Sequence, residues 1–368
     1  MKGIRIVVVA AALAIAASVT IANAAVSRPR VEVAFVLDST GSMGGLIEGA
    51  KQKIWSIANA IIGRSPTPEV RIGLVSYRDR GDEYITRLFD LTDDIDAVFG
   101  SLQSFRADGG GDDLESVNQA LNEAVTRMSW SKDPEVLKVV FLVGDYPPHM
   151  DYRGDVKYRD TCREAVRRLI VINTVQCGGV PETTPVWQEI ARLAEGTYVA
   201  LAQDGNMQAV ATPYDGEIAK LSAELGRTLI AYGKLEVQAE VREKAAKAGA
   251  APASVAADRA VFNLASGGKA VQGSGDLVAD LEAGVVDLSK VAKDDLPPEM
   301  QRLSLAEQRA YVQARQSERG ALNARLERLA KQRASWIEAE LRRTSGTGDS
   351  FDRAVSEMIN AQAARMLK

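Results

Sequence analysis

Histidine and cysteine are nearly absent from this chain of 368 residues, which contains one histidine, His149, and two cysteines, Cys162 and Cys177. Zinc sites in proteins are built mainly from these two kinds of side chain, so their scarcity argues against zinc. The Gly-x-Ser-x-Gly sequence of many serine hydrolases is also missing. A Ser-His or Cys-His catalytic triad is therefore unsupported, and we interpret His149 as a structural hydrogen-bonding residue.

A strong excess of charge of one sign is absent as well, because 45 Lys and Arg stand against 49 Asp and Glu, for a formal net charge of -4. Nucleic-acid-binding domains are usually basic, so this balance predicts no nucleic-acid partner. The composition is 46% hydrophobic and 26% charged, which is typical of globular proteins. The length favours about two domains.

The N-terminus has the pattern of a secretory signal peptide. Lys2 and Arg5 precede an apolar stretch that ends in Ala22-Asn23-Ala24, and this small-residue pattern predicts cleavage near Ala24. The alternative is a single membrane anchor, although the apolar stretch is short for a spanning helix. We therefore expect a signal peptide over residues 1–24 and a secreted or periplasmic mature chain without a transmembrane segment.

Beyond residue 30 the apolar residues alternate between the period of a strand and the period of a helix. Such alternation predicts a mostly parallel sheet with helices on both faces, which is a doubly wound, Rossmann-like α/β fold. We assign residues 25–233 to this domain. The predicted strands are 31–37, 70–77, 86–92, 137–145, 170–177 and 197–201. The predicted helices are 45–62, 95–102, 114–128, 162–169, 187–194 and 218–231.

The composition changes after residue 233. Residues 234–300 are rich in Ala and Gly and predict a loosely ordered linker with short ordered pieces. Residues 301–368 predict an α-helical C-terminal extension, as a helical hairpin or coiled coil packed on itself or on the first domain. Lys and Arg outnumber Asp and Glu in residues 303–343, which suits either a solvated helix surface or contact with an anionic envelope surface.

The two cysteines are candidates for a disulfide. Cys162 begins a predicted helix, and Cys177 ends the strand that follows it. A helix leading into a parallel strand starts at the sheet edge where the strands end, so the two side chains should be near each other. Lone cysteine pairs in an oxidising compartment commonly form disulfides. The alternative is two buried thiols.

Short oxygen-bearing side chains follow the first predicted strand in the sequence Asp38-Ser39-Thr40-Gly41-Ser42. Residues 38, 40 and 42 can face one point with a carboxylate and two hydroxyls, which are ligands that suit Mg²⁺ or Mn²⁺. Ligands of parallel sheets bind beyond the carboxyl ends of the strands. The remaining oxygens should come from Asp145, after a later strand, and from the loop at 107–116.

These features together resemble a von Willebrand factor A domain with a metal-ion-dependent adhesion site. In that family one strand ends in Asp-x-Ser-x-Ser, a second loop supplies a Thr, and an Asp follows a later strand. Asp38, Thr40 and Ser42 match the first element, with Thr in place of the first Ser. Asp145 matches the last. The resemblance covers about residues 30–233, and the stretch VGDYPPHMDY at 143–152 is also similar to one subgroup of the secreted bacterial members.

The middle element departs from the family pattern. Counted back from Ala120-Leu121, the position of the family's Thr falls on Glu115. The segment Asp112-Asp113-Leu114-Glu115 is also similar to a stretch of integrin β subunits whose Glu binds the metal. The resemblance therefore implies Glu115 as the ligand, with Asp112 as the second choice. The alternative is that Glu115 only places favourable negative charge at the start of its helix.

The resemblance implies a function as well as a site. It implies a divalent cation, Mg²⁺ before Mn²⁺ or Ca²⁺, and a protein partner whose acidic residue completes the metal shell. Ser39 and Asp79 are candidates for residues that surround the ligands without binding the metal. Asp79 could order the waters of the site or, with Asp82, hold a second cation, and the alternative is a solvated loop. Two other functions stay open, namely a metal-dependent hydrolase and a structural envelope protein that binds through its helical tail.

Overall fold

The computed structural model describes residues 28–63, 67–111, 113–205, 211–343 and 351–366. The predicted signal peptide, residues 1–24, and Asp112 lie outside these described residues. The strands are β1 (Arg30–Asp38), β2 (Glu69–Tyr77), β3 (Thr86–Thr92), β4 (Leu137–Gly144), β5 (Ile170–Cys177) and β6 (Tyr198–Leu201). The first helices are α1 (Gly44–Ile62), α2 (Ile95–Gln103), α3 (Val117–Arg127), α4 (Tyr158–Arg167), α5 (Thr183–Leu193) and α6 (Asp215–Gly226).

The six strands form one sheet in the order β3-β2-β1-β4-β5-β6. Only β3 runs antiparallel to its neighbour, and the other pairs in this sheet are parallel. In register, Asp38 of β1 lies opposite Tyr77 of β2, and Leu37 lies opposite Val143 of β4. The carboxyl ends of the three central strands therefore meet at one edge of the sheet.

Side chains alternate between two buried layers, as the period of a strand requires. On β1, Phe35 and Leu37 face the layer formed with α1 and α2, whereas Ala34 and Val36 face the layer formed with α3, α4 and α5. Helices thus cover both faces of the sheet, and the predicted doubly wound α/β fold is confirmed.

The predicted loose linker at 234–300 is wrong. This segment contains α7 (Leu235–Gly249), α8 (Ala253–Ala265) and α9 (Leu277–Glu282). Helix α8 packs against both α1 and α6, and the ring of its Phe262 lies 5.4 Å from that of Trp55 on α1. The abundant alanines pack rather than loosen the chain, since Ala257 and Ala260 are fully buried.

Buried ion pairs join these helices to the rest of the molecule. Arg259 of α8 binds both carboxylate oxygens of Asp96 on α2, each at 2.7 Å. The long helix α10 (Leu305–Arg343) contributes two buried arginines, Arg319 and Arg333. Arg319 pairs with Asp276 at 2.7 Å, and Arg333 pairs with both Asp215 and Asp258 at the same distance. Further basic side chains of α10 pair with glutamates along the helix, namely Arg315, Lys331, Arg342 and Arg343.

The last helix, α11 (Phe351–Met366), completes the core of the sheet domain. Its Phe351, Val355 and Ile359 are buried in the same layer as Phe35 of β1. The helix packs on α1 and β4, while α10 packs on α6 and α8. The expected docking on the first domain is therefore found for α11. The core of the sheet domain thus includes residues that lie beyond the expected boundary at residue 233.

The predicted disulfide is contradicted. Cys162 and Cys177 are both free and buried. Cys162 lies inside α4, where it packs in the layer on one face of the sheet, whereas Cys177 packs in the layer on the other face. The prediction placed both at one edge but ignored the face on which each side chain lies. In the described part of the chain, no helix has the length and apolar character needed to cross a membrane.

Candidate metal centre

The first element of the site begins where β1 ends at Asp38, a fully buried residue. Its Oδ1 accepts hydrogen bonds from the backbone N–H of Thr40 at 2.8 Å and from Thr40 Oγ1 at 2.6 Å. Thr40 Oγ1 lies 3.4 Å from Ser42 Oγ. The sequence therefore brings the carboxylate and the two hydroxyls together as predicted, and Asp38 Oδ2 is buried with no hydrogen-bond partner.

Glu115 joins this group from the second loop. Its backbone N–H donates to Pro147 O at 3.1 Å, and its carbonyl accepts from the N–H of His149 at 3.0 Å. These two bonds form a short parallel bridge between Glu115 and Pro148, which fixes the second loop to the loop that follows β4. Glu115 Oε2 is buried and lacks a partner.

The glycines before Glu115 allow its loop to approach Thr40 closely. Gly110 has φ +88°, and a Cβ added there would lie 3.4 Å from Thr40 Cβ. Gly109 has φ +78°, and a Cβ there would lie 2.3 Å from the Asp82 carboxylate. Asp82 in turn accepts from the backbone N–H of Gly110. Because glycine adopts positive φ at no steric cost, whereas most other residues rarely do, the two glycines allow this loop to take its shape.

Asp145 supplies the third carboxylate, directly after β4. Thr183 Oγ1 donates to its carbonyl at 2.6 Å. Gln203 Nε2 donates to Asp145 Oδ2 at 2.8 Å, and Asp145 Oδ1 is buried without a partner. Gln203 was not predicted from the sequence. The available signal was its position just after β6, at the same edge of the sheet.

Electrostatic repulsion among these carboxylates is strong because they are withdrawn from water. Burial, followed by the neighbouring Asp145 carboxylate, raises the pKa of Asp38 to about 8. Burial, followed by the Asp38 and Asp79 carboxylates, raises the pKa of Glu115 to about 10. Buried like charges disfavour ionisation unless an opposite charge compensates them. The site is therefore electrostatically suited to a cation.

The two supporting residues face different surroundings. Ser39 Oγ donates to Tyr77 O at 2.9 Å and accepts a hydrogen bond from Ser76 Oγ at 2.7 Å. The Ser39 hydroxyl therefore binds β2 rather than the centre of the site. Asp79 accepts from Ser116 Oγ at 2.8 Å and from the Tyr152 hydroxyl at 2.7 Å. Asp79 thereby holds the residue next to Glu115.

His149 has structural contacts. Its Nδ1 lies 2.8 Å from Asp151 Oδ1, and its ring stacks on Tyr152 at 4.0 Å. Asn118 Nδ2 donates to the His149 carbonyl at 2.7 Å, while Asn118 Oδ1 accepts from the N–H of Tyr158. These bonds anchor the long loop after β4 to helix α3 and so position Asp145 and Glu115 together.

The donor set fits a hard divalent cation. Each of Asp38, Glu115 and Asp145 has one buried oxygen without a partner, and buried polar atoms normally have partners. Among the described residues, no three or more His, Cys, Asp and Glu side chains form a metal cage by themselves. A cation here would need the hydroxyls of Thr40 and Ser42 and water as well, which is common for Mg²⁺.

Comparison with known proteins agrees with the predicted family. Residues 32–202 match the family described as von Willebrand factor A domain, which is somewhat less than half of the chain. An ariadne-like RING finger protein of Acanthamoeba polyphaga mimivirus is 30% identical over 122 residues. That match covers 32% of this chain and only 11% of the relative.

Two solved structures are similar at low identity. Proximal thread matrix protein 1 from the mussel byssus is 17% identical, with 48% of this chain and 43% of that chain covered and a TM-score of 0.37. The SpRpn10 VWA domain is 14% identical, with 48% of this chain and 89% of that domain covered and a TM-score of 0.36. The support for the predicted domain type comes from the family match of residues 32–202, while the adhesion site and the bacterial secreted type stay predictions.

Proposed function

We propose that this von Willebrand factor A domain binds one divalent cation, with Mg²⁺ preferred, and that the metal-loaded edge of the sheet binds a protein partner. The ligands in this proposal are Asp38, Thr40, Ser42, Glu115 and Asp145. One observation carries it: three buried carboxylates from three loops lie close enough that, after burial itself, Asp145 raises the pKa of Asp38 and both raise that of Glu115, and each of the three keeps one oxygen without a partner. Domains of this family commonly bind proteins.

The residues have different roles in this proposal. The three carboxylates provide negative charge, and the two hydroxyls provide neutral oxygens. When bound, the cation would offset the repulsion among the carboxylates and offer coordination positions to an oxygen of the partner. The chain's own contribution is to hold the ligands in place, through the Glu115–Pro148 bridge and the bonds of Asn118 and Thr183.

Thermal unfolding tests the metal part of the proposal. A cation at a hundred times its dissociation constant should add about 2.7 kcal/mol to the free energy of unfolding. We expect Mg²⁺ to raise the melting temperature of metal-free protein, a chelator to reverse the change, and Asp38→Ala to abolish it. Asp160→Ala, which removes an exposed carboxylate on α4, is the matched control. An equal shift in the Asp38→Ala protein would refute the site.

The partner part needs a second experiment. We expect affinity capture from envelope extract to recover a protein in Mg²⁺, and to lose it both in chelator and with Asp38→Ala. Capture that is unchanged by both treatments would contradict binding through this edge. Removing residues 301–368 is not a clean test of a tail-binding alternative, because the deletion also removes α11 from the core.

We also propose that the mature chain acts outside the cytoplasm, in the periplasm or after secretion. The support is the signal-peptide pattern of residues 1–24, which contains a basic start, an apolar stretch and a small-residue end. N-terminal sequencing of protein recovered from the cell envelope and the medium tests this proposal. A mature N-terminus near Ala25 is expected, whereas an uncleaved chain in the cytoplasm would contradict it.

A further inference from the structure

Each of two proposed ligands presents only one oxygen to the centre, because a hydrogen-bond donor occupies the other. Asp38 Oδ1 accepts two bonds from Thr40, which leaves Oδ2. Asp145 Oδ2 accepts from Gln203 Nε2 at 2.8 Å, which leaves Oδ1. A carboxylate held in this way is suited to bind a cation through one oxygen rather than two.

The number of oxygens that each carboxylate offers discriminates between cations. Ca²⁺ takes six to eight oxygens and often uses both oxygens of a carboxylate, whereas Mg²⁺ requires a near-ideal octahedron. Mn²⁺ also suits octahedral oxygen sites. We infer that Gln203 is a positioning residue which keeps Asp145 a one-oxygen ligand and thereby favours Mg²⁺ and Mn²⁺ over Ca²⁺. The inference rests on the proposed function of the same site.

Gln203 can be changed without removing a proposed ligand of the metal. The donors to Asp38 come from Thr40, which is itself a proposed ligand and lies two residues away. Gln203 instead reaches the centre from the loop after β6, and its Nε2 also donates to the carbonyl of Ser42 at 3.2 Å. One amide therefore ties the first and third ligand loops together without itself being a proposed ligand.

The residue that follows β5 leaves space for the side chain of Gln203. Gly178 follows that strand with φ +74°, and its N–H donates to Leu201 O at 2.9 Å. A Cβ added at Gly178 would lie 2.1 Å from Gln203 Oε1. A side chain at this position would displace the amide from Asp145, so the glycine leaves the space that Gln203 occupies.

Cation binding by the full chain tests the inference. We would measure the dissociation constants of Mn²⁺ and Ca²⁺ by calorimetry for the unmodified protein, Gln203→Leu and Gln301→Leu. Gln301 is the matched control, because its amide donates to Leu296 O at 2.8 Å in the helical region. Residues that orient metal ligands typically change metal affinity by about 10- to 100-fold. Because Gln203→Leu frees a second oxygen that Ca²⁺ can use and Mn²⁺ does not need, we expect the preference for Mn²⁺ over Ca²⁺ to fall about tenfold in this variant and to persist in Gln301→Leu.

Two further variants separate positioning from folding. Gln203→Lys restores a donor to Asp145, so the ratio of the two affinities should return towards that of the unmodified protein while both affinities fall because of the added positive charge. Gly178→Ala should lower the ratio by displacing Gln203. Melting curves in chelator check that each variant is folded.

The outcomes distinguish this inference from the proposed function. If the unmodified protein binds neither cation, the metal site itself is refuted. If it binds both with equal affinity, the site stands and the selectivity inference is overturned. If it prefers Mn²⁺ and Gln203→Leu keeps the same ratio, the role of Gln203 is overturned.

Discussion

Gln362 and Asn173 exchange two amide hydrogen bonds in the core, although 189 residues separate them in the chain. Gln362 Nε2 donates to Asn173 Oδ1 at 2.7 Å, and Asn173 Nδ2 donates to Gln362 Oε1 at 3.3 Å. Asn173 belongs to β5 and Gln362 to α11, so the pair joins the last helix to the middle of the sheet. In the sequence, the helices between β6 and α11 therefore lie between two parts of one folded unit.

Replacing Gln362 by Leu should destabilise the whole protein. The change leaves the buried Nδ2 of Asn173 without its acceptor, and an unsatisfied buried polar group costs about 1–3 kcal/mol. Urea denaturation should show this loss in a single transition. Arg353→Ala on the same helix, which breaks an exposed pair with Glu357, should change the free energy of unfolding by less than about 1 kcal/mol. Equal effects of the two variants would contradict a core position for α11.

The buried pair of Arg259 and Asp96 should couple the helical region to the sheet domain. Their side chains are 4% and 2% exposed, and removing one partner of a buried pair costs about 3–5 kcal/mol. We expect Arg259→Met to lose stability in this range, and Arg259→Met with Asp96→Leu to recover part of it. A double-mutant cycle by urea denaturation measures the coupling. Additive losses would show that the pair does not act as a unit.

The fold of the sheet domain could be predicted because its strands are buried on both faces and its helices carry apolar stripes. The predicted strands at 86–92 and 170–177 coincide with β3 and β5. The predicted helical region at 301–368 is confirmed by α10 and α11, whereas the helices of residues 234–300 could not be predicted in the same way. Alanine and glycine are typical of linkers by composition, yet here the alanines of α8 allow it to pack closely on α1 and α6.

The candidate site was predictable where topology alone decides which residues meet. Asp38 and Asp145 end neighbouring parallel strands, so their meeting follows from strand order. Gln203 was missed because an amide is not a typical Mg²⁺ ligand, and only the hydrogen bond to Asp145 reveals its role. The contact of α11 with the sheet joins residues that lie far apart in the chain, such as Asn173 and Gln362 with a separation of 189 residues. The apolar stripe of α11 predicts a buried helix face, but no local pattern says which surface covers it.

The two cysteines should be chemically protected in the native protein. Burial raises the pKa of the Cys162 thiol to about 12 and raises that of Cys177 as well, so little reactive thiolate forms at neutral pH. We expect no alkylation of native protein and alkylation of both cysteines after unfolding without reductant, as measured by mass spectrometry. A requirement for reductant would restore the disulfide that the structure contradicts.

The metal-free protein should lose stability as the pH rises. In the folded state the pKa values of Asp38 and Glu115 are raised above 3.8 and 4.5 to about 8 and about 10, mainly by burial. Between these limits the folded chain binds protons that the unfolded chain has released, so the free energy of unfolding falls with pH. Their contribution is complete below about pH 4 and is lost as the pH passes through the folded pKa values.

Melting curves of the metal-free protein at about pH 5, 7 and 9 check this expectation. With saturating Mg²⁺ the fall should be smaller, because the cation binds the deprotonated ligands and its affinity rises as they release protons. The stabilisation by Mg²⁺ should therefore grow with pH. A stabilisation that is independent of pH would contradict binding through these two carboxylates.

Glu115 should affect the stability of the metal-free and metal-loaded protein in opposite directions. Glu115 as a residue is 2% exposed, and its carboxyl lies near those of Asp38 and Asp79, so Glu115→Thr removes a buried group that is unfavourable without a cation. We expect a higher melting temperature in chelator. The same change removes one of three charged ligands, so Mg²⁺ should bind about tenfold more weakly, since ligand charge sets cation affinity.

Calorimetry and melting curves of one preparation measure both effects. Glu182→Gln is the control, because Glu182 is exposed near the same edge and is not a proposed ligand. It changes the charge by the same amount, but in solvent, where charges interact weakly. Equal losses of Mg²⁺ affinity in the two variants would mean that Glu115 acts only through the general negative potential. A selective loss in Glu115→Thr would show direct ligation in place of the hydroxyl that the family usually has.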